Sequence, residues 1–181
     1  MELFLGRSPT DRLLIDKNPS LTFLIAAMAR IFPEMKFIIA LRDPRDVCLS
    51  CFMQPFSLSQ VSAAFLTLKD TVEEYALLMS LWLTIRPLLK NPYLEVKYED
   101  MVDDLESVAK RTLDFLGLPW NSDVLRFDEH ARSKLVRSPT YADVAKPVFK
   151  TAVARWRNYE KYLEPHLEQV EPFVKAFNYG S

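Results

Sequence analysis

Glycine is nearly absent from this chain. Three stand among 181 residues, at Gly6, Gly117 and Gly180. Backbone amides that wrap a phosphate need glycines at the turn, so a glycine-rich phosphate loop is excluded within these residues. Cysteine is equally scarce. Cys48 and Cys51 are far too few for a disulfide scaffold, and a reducing cytoplasm is the default expectation. No run approaches the ~20 uninterrupted apolar residues of a membrane span. The stretch from Met1 to Arg12 has no basic segment leading into an apolar one, so no signal peptide is read there. Net charge is missing too: 23 Lys and Arg against 24 Asp and Glu leave −1, which gives no global drive toward nucleic acid or anionic lipid. Any anion site must therefore be local. No repeat, low-complexity tract or charge block marks a linker. The remaining composition, 49% apolar and 26% charged, is that of a globular chain long enough for one domain with a sizeable core.

The patterning alternates strand and helix. Residues 12–16 (RLLID) read as a short buried strand, followed by a Lys17-Asn18-Pro19 turn. Ser20 to Phe32 is rich in helix formers and is stopped by Pro33. Lys36 to Leu41 (KFIIAL) is a continuous apolar run, the signature of a strand covered on both faces. Asp43 then fits an N-cap and Pro44 the first helical position, so a helix is predicted to about Met53. Thr71 to Leu89 carries one apolar stripe at helical period through Val72, Tyr75, Leu78, Met79, Trp82 and Ile85. Tyr93 to Tyr98 reads as a strand, and Asp103 to Leu116 as an amphipathic helix closed by Gly117. Asn121 to Val148 is loop-like, and two helices follow over Phe149–Tyr162 and Pro165–Phe177. Such an order predicts an α/β fold with a parallel sheet flanked by helices. Three strands are few for such a sheet, and the first begins almost at the N-terminus, so the chain is expected to start inside a larger α/β domain.

Five places carry candidate chemistry. In RDPRDVCLS, Arg42 stands where a buried strand meets a helix start, the edge at which open α/β sheets bind ligands. The helix N-terminus offers free N–H groups, Arg42 a planar fork of donors, and Ser50 one more hydroxyl two turns on. The competing reading pairs Arg42 with Asp46 or another acid as a strand-end ion pair, and spacing does not choose between them. Lys17 would point into the same crevice as a mobile cation, or stand solvated on its turn. Tyr98 would stack on a base, or simply line a rim. A polar loop around Ser138-Pro139-Thr140-Tyr141 leads into Arg155-Trp156-Arg157, a segment suited to close over an anion or to lie on the surface. Cys48-Leu-Ser-Cys51 has redox-pair spacing but sits a turn inside its helix, and neither His130 nor His166 completes a zinc set. Two buried helical thiols are the simpler reading.

Together FPEMKFIIALRDPRDVCLSCF, LEVKYEDMV, FLGLPW and SPTYADVAKPVFKTAVARWRNYEKYL, in that order, resemble the sulfotransferases that use 3′-phosphoadenosine 5′-phosphosulfate. The likeness runs from about Leu14 to Leu167. It is to bacterial members often fused to tetratricopeptide repeats, which are similar to protein-tyrosine sulfotransferases. It implies a P-loop-NTPase-like parallel sheet, here lacking the first strand and the 5′-phosphosulfate loop. It implies that Arg42 and Ser50 hold the donor's 3′-phosphate and that Tyr98 contacts the nucleotide. Lys17 would stabilise the transferring sulfuryl group. Thr140 falls where tyrosine-sulfating relatives carry an active-site serine, and Arg155 on a basic position near the nucleotide. The scheme needs no metal. The acceptor is a hydroxyl, protein tyrosine among the options, and its choice is placed in Gln54 to Lys69.

The departure is an absence. The family's Gly-x-x-Arg-(Ser/Thr)-Gly loop and its glutamate or histidine base would lie upstream of Met1, and nothing places Glu2 as that base. The expectation is one partial sulfotransferase domain over residues 1–181, with weak or no activity alone. Upstream tetratricopeptide repeats are a possible companion in a longer protein. The alternatives are a nucleotide-kinase-like phosphoryl-transfer protein, which would need the missing glycine loop, and a non-catalytic α/β remnant.

Overall fold

A computed structural model describes residues 13–56, 62–127 and 150–180 of the chain. Two strands, β1 (Phe37–Leu41) and β2 (Tyr93–Lys97), pair in parallel in strict register from Phe37 opposite Tyr93 to Leu41 opposite Lys97. A parallel pair demands a long crossover. Here α2 (Pro44–Met53) and α3 (Leu68–Ile85) supply it, and the short α1 (Ile25–Ile31) precedes β1. After β2 come α4 (Tyr98–Asp103) and α5 (Leu105–Leu116), and the chain closes with α6 (Glu160–Leu163) and α7 (Leu167–Ala176). No helix among the described residues is long and apolar enough to cross a membrane.

The α/β class and the parallel pair agree with the patterning, and so does the stripe on α3. Val72, Tyr75 and Trp82 are buried in a core with Ile25, Leu41, Cys48, Val170, Phe173 and Phe177. Tyr75 meets Phe173 edge-on at 5.7 Å, and Trp82 meets Tyr93 edge-on at 5.3 Å. Such tilted pairs are the favoured arrangement of aromatic quadrupoles. The buried indole of Trp82 is not left unpaired: its Nε1–H donates to Glu95 at 2.8 Å, and Arg86 balances that carboxylate at 3.1 Å. Asn91 ties the start of β2 to the turn before β1 by donating to the carbonyls of Phe32, Pro33 and Met35.

Caps follow the local sequence. Asp43 accepts from the N–H of Arg45 with Pro44 at the first helical position, Thr67 accepts from Asp70, and Asp104 from Ser107. Gly117 takes φ 77° at the end of α5, the left-handed turn that a side chain disfavours.

Four expectations are corrected. Residues 13–16 form no strand. They lie in irregular, exposed backbone, with Leu13, Leu14 and Ile15 each at least half exposed. An apolar run becomes a strand only by pairing, and no ladder joins these residues to β1. β1 is not covered on both faces: Phe37, Ile39 and Leu41 pack into the core while Ile38 and Ala40 are exposed. Tyr98 opens α4 instead of ending β2, because Glu99 and Asp100 in the first turn favour a helix start. Finally, 149–162 is no continuous helix. Of its described residues, Lys150–Ala152 and Arg155–Tyr159 are 3₁₀ turns, broken where Ala154 takes φ 54°.

Candidate functional site

Because β1 and β2 end level, the residues that follow them emerge side by side. The Arg42 guanidinium lies over the Tyr98 ring at 4.9 Å. Its Nη2 donates to the Ala152 carbonyl at 2.5 Å and stands 3.7 Å from Asp46 Oδ2. The latter is ion-pair range but too long for a hydrogen bond. Two buried atoms are left over: Arg42 Nε and Asp46 Oδ2 have no hydrogen-bond partner among the described residues. A buried donor and a buried acceptor of opposite charge, each unmet, are costly together. Arg42 Nε thus lacks an acceptor, and Asp46 Oδ2 lacks a donor. Thus both readings of Arg42 have a physical counterpart, a loose ion pair and a donor left over.

Around this pair the N-terminus of α2 is tightly built. Arg45 forks onto Asp43, with Nε donating at 2.9 Å and Nη2 at 2.7 Å, and Nη2 also donates to the Gly180 carbonyl. The same guanidinium stacks on Trp156 at 4.0 Å. Glu99 accepts the Asp43 N–H at 3.0 Å and the Tyr179 hydroxyl at 3.0 Å, and so locks the helix start to β2 and to the C-terminal end. Asp46, wholly buried, accepts the Trp156 N–H at 2.8 Å. Burial pushes its carboxyl up, against the opposing pull of the Trp156 N–H and Arg42.

The other expected residues are spread unevenly. Ser50 lies half-buried on α2, two turns beyond Arg42. Arg155 is exposed, over Tyr159 at 5.8 Å and with Nη2 3.9 Å from Met53 Sδ, so it runs beside the far end of α2. Lys17 is exposed on the irregular segment that precedes α1. Thr140 lies outside the described residues, as do residues 57–61 of the expected acceptor segment. Cys48 and Cys51 are free, and burial raises both thiols, which suits packing rather than redox chemistry. Glu99 and Arg45 were missed as site builders, and Trp156 was read only within the Arg155-Trp156-Arg157 segment. The charge-dense RDPRD and YED runs were the available signal, but contacts across 110 residues leave no local trace.

The comparisons bear on what this cluster serves. A family model described as the sulfotransferase family matches residues 1–122, more than half of the chain. Protein-tyrosine sulfotransferase 1 of Danio rerio is 26% identical over 86% of the chain and 45% of its own length. Protein-tyrosine sulfotransferase A of Caenorhabditis elegans is 21% identical over 99% of the chain and 48% of its own length. An uncharacterized protein of Aquifex aeolicus is 26% identical over 90% of the chain and 21% of its own length. The chain thus spans less than half the length of these relatives.

Proposed function

The chain belongs to the sulfotransferase family, and on that premise we propose that it serves transfer of a sulfuryl group from 3′-phosphoadenosine 5′-phosphosulfate to an acceptor hydroxyl. Arg42 is its 3′-phosphate seat. The observation that carries this reading is the Arg42 guanidinium at the level ends of β1 and β2, one buried N–H unmet and one face on Tyr98. A phosphate oxygen would meet that donor, and the α2 N-terminus, capped by Asp43, adds its dipole nearby. Ser50 would reach the same phosphate from α2. Tyr98 fits beside the nucleotide, already holding the guanidinium plane. Arg155, on the outer flank of α2, adds positive charge toward the donor. These residues bind and orient, and remote binding energy of this kind is what positions a reacting centre.

The reaction forms a bond from acceptor oxygen to sulfur and breaks the sulfur–oxygen bond to the nucleotide, which leaves as 3′-phosphoadenosine 5′-phosphate. The hydroxyl proton passes to a base. Charge on the transferring group is met by fixed cations, as in phosphoryl transfer. Lys17 is assigned that part from its motif, and Thr140 a place at the acceptor. The site as described rests on Arg42 and Tyr98 rather than on these two. Protein tyrosine is the acceptor class named for the animal relatives, and it is the first acceptor to try here. With no glycine-rich loop for the 5′-phosphosulfate in its 181 residues, the chain alone is expected to bind nucleotide with little or no turnover.

Calorimetric titration with 3′-phosphoadenosine 5′-phosphate tests the reading. Binding should be clearly tighter than for adenosine 5′-phosphate, which lacks the 3′-phosphate. Arg42→Ala should weaken it by about 2–3 kcal/mol, the scale of a charge-assisted bond lost from a partner left unmet. Absence of binding, or binding indifferent to Arg42, would favour a non-catalytic role.

A further inference from the structure

Asp46 is the residue that the proposed site leaves unexplained. It is a carboxylate with no solvent-exposed side-chain surface, placed one helical turn from the cation proposed to take phosphate. One oxygen is used: Oδ1 accepts the Trp156 N–H and so fastens the Arg155–Tyr159 turn to α2. The other has no hydrogen bond among the described residues and faces Arg42 at 3.7 Å. Arg42 in turn keeps one donor unmet while its Nη2 is taken by the Ala152 carbonyl from the same segment. One protein oxygen, the neutral Ala152 carbonyl, therefore takes a guanidinium donor, and a second, charged one stands beside it without a hydrogen bond where a ligand oxygen would compete. Arg45 does not relieve the crowding, since it is committed to Asp43 and Gly180. The charges that act on Asp46 are Arg42 and, with opposite effect, Asp43.

We infer that Asp46 is a positioning residue that sets the anion affinity of Arg42, aiming the guanidinium when no phosphate is present and competing with the phosphate for it. This rests on the reading of Arg42 as the phosphate seat. A carboxylate at this distance repels an arriving phosphate by the same Coulomb term with which it steadies the empty guanidinium. An uncharged replacement that keeps an acceptor for Trp156 should therefore tighten anion binding, whereas loss of a purely structural anchor would loosen it. The effect should be specific to ligands that carry the 3′-phosphate.

The test is calorimetric titration of the 181-residue chain with 3′-phosphoadenosine 5′-phosphate at fixed ionic strength. It compares wild type, Arg42→Ala, Asp46→Asn and Asp46→Ser, with folding checked by circular dichroism. Asp46→Asn is expected to bind about tenfold tighter than wild type, the scale of one nearby like charge after screening. Its affinity for adenosine 5′-phosphate should be unchanged. Asp46→Ser carries the same expectation should the asparagine variant not fold. If Arg42→Ala loses binding but the Asp46 variants bind as wild type or more weakly, this inference falls and the phosphate seat stands. If wild type does not bind at all, both fall. Failure of both uncharged variants to fold also overturns it, in favour of a structural anchor.

Discussion

The two ends of β1 are built in opposite ways. At its carboxyl end Asp43, Arg45 and Asp46 are buried, and Asp43 and Arg45 find their partners among neighbouring side chains and the C-terminal segment. On the other side, over residues 13–38, large aliphatic side chains are left exposed, Leu14, Ile15, Leu24, Ile31 and Ile38 among them, beside exposed polar ones such as Lys17 and Glu34. Charges usually lie outside and aliphatics inside. The inversion separates a region completed by its own long-range contacts from one whose apolar surface the described residues do not cover. It also separates what can be tested by stability from what can be tested by association.

The sharpest way to break the comparison is to attack the completed side. Arg45→Ala removes the partner of buried Asp43, the stacking plane on Trp156 and the donor to Gly180. Removing one member of a buried pair strands the other, and the expected loss is about 3–5 kcal/mol in urea unfolding. A loss below about 1 kcal/mol would mean that water reaches Asp43 and that the carboxyl end is as open as the other.

How much of this was legible follows from the range of the contacts. The RDPR step gave the end of β1, the Asp43 cap and the start of α2, because those interactions span two to four residues. The α3 stripe and the Gly117 stop were legible for the same reason. Arg42 was legible as a cation at a strand end and Tyr98 as a ring that could stack on a base, but not their meeting, which depends on the strand register. The tie from Asp46 to Trp156 crosses 110 residues and had no signal beyond a surplus of charge in RDPRD. Residues 12–16 misled because β-propensity reports packing against neighbours more than backbone preference. The expected terminal helix failed at Ala154, whose left-handed backbone nothing in its own residue type foretells.

A milder test acts through Asp46 and sharpens the claim that burial, not exposure, governs the completed side. Burial holds its carboxyl above the ordinary 3.8 in the fold. The folded state therefore keeps the proton to higher pH than the unfolded chain does. Stability from this group is lost as pH rises from 3.8 through the raised value and is level beyond it. Asp46→Asn lacks that dependence. The thermal midpoint of wild type relative to Asp46→Asn should fall over this window and then run parallel. A relative midpoint that rises across it would show the carboxylate to be better satisfied in the fold than in water, and the ion pair with Arg42 to be dominant.

The smallest effect is expected on the apolar side, and its smallness is what makes it informative. Ile31→Ser, at a position 65% exposed, removes little buried area and changes helix propensity hardly at all. Its expected change in unfolding free energy is within about 0.5 kcal/mol. Leu14→Ser, 58% exposed on the irregular segment, should behave alike. Both together should lower any concentration-dependent association seen in sedimentation, because each interrupts a stretch of exposed large apolar residues, 13–15 and 31–32. A loss above about 1 kcal/mol from either single change would mean that in solution this side is covered after all. The contrast between the two ends of β1 would then be one of partners rather than of construction.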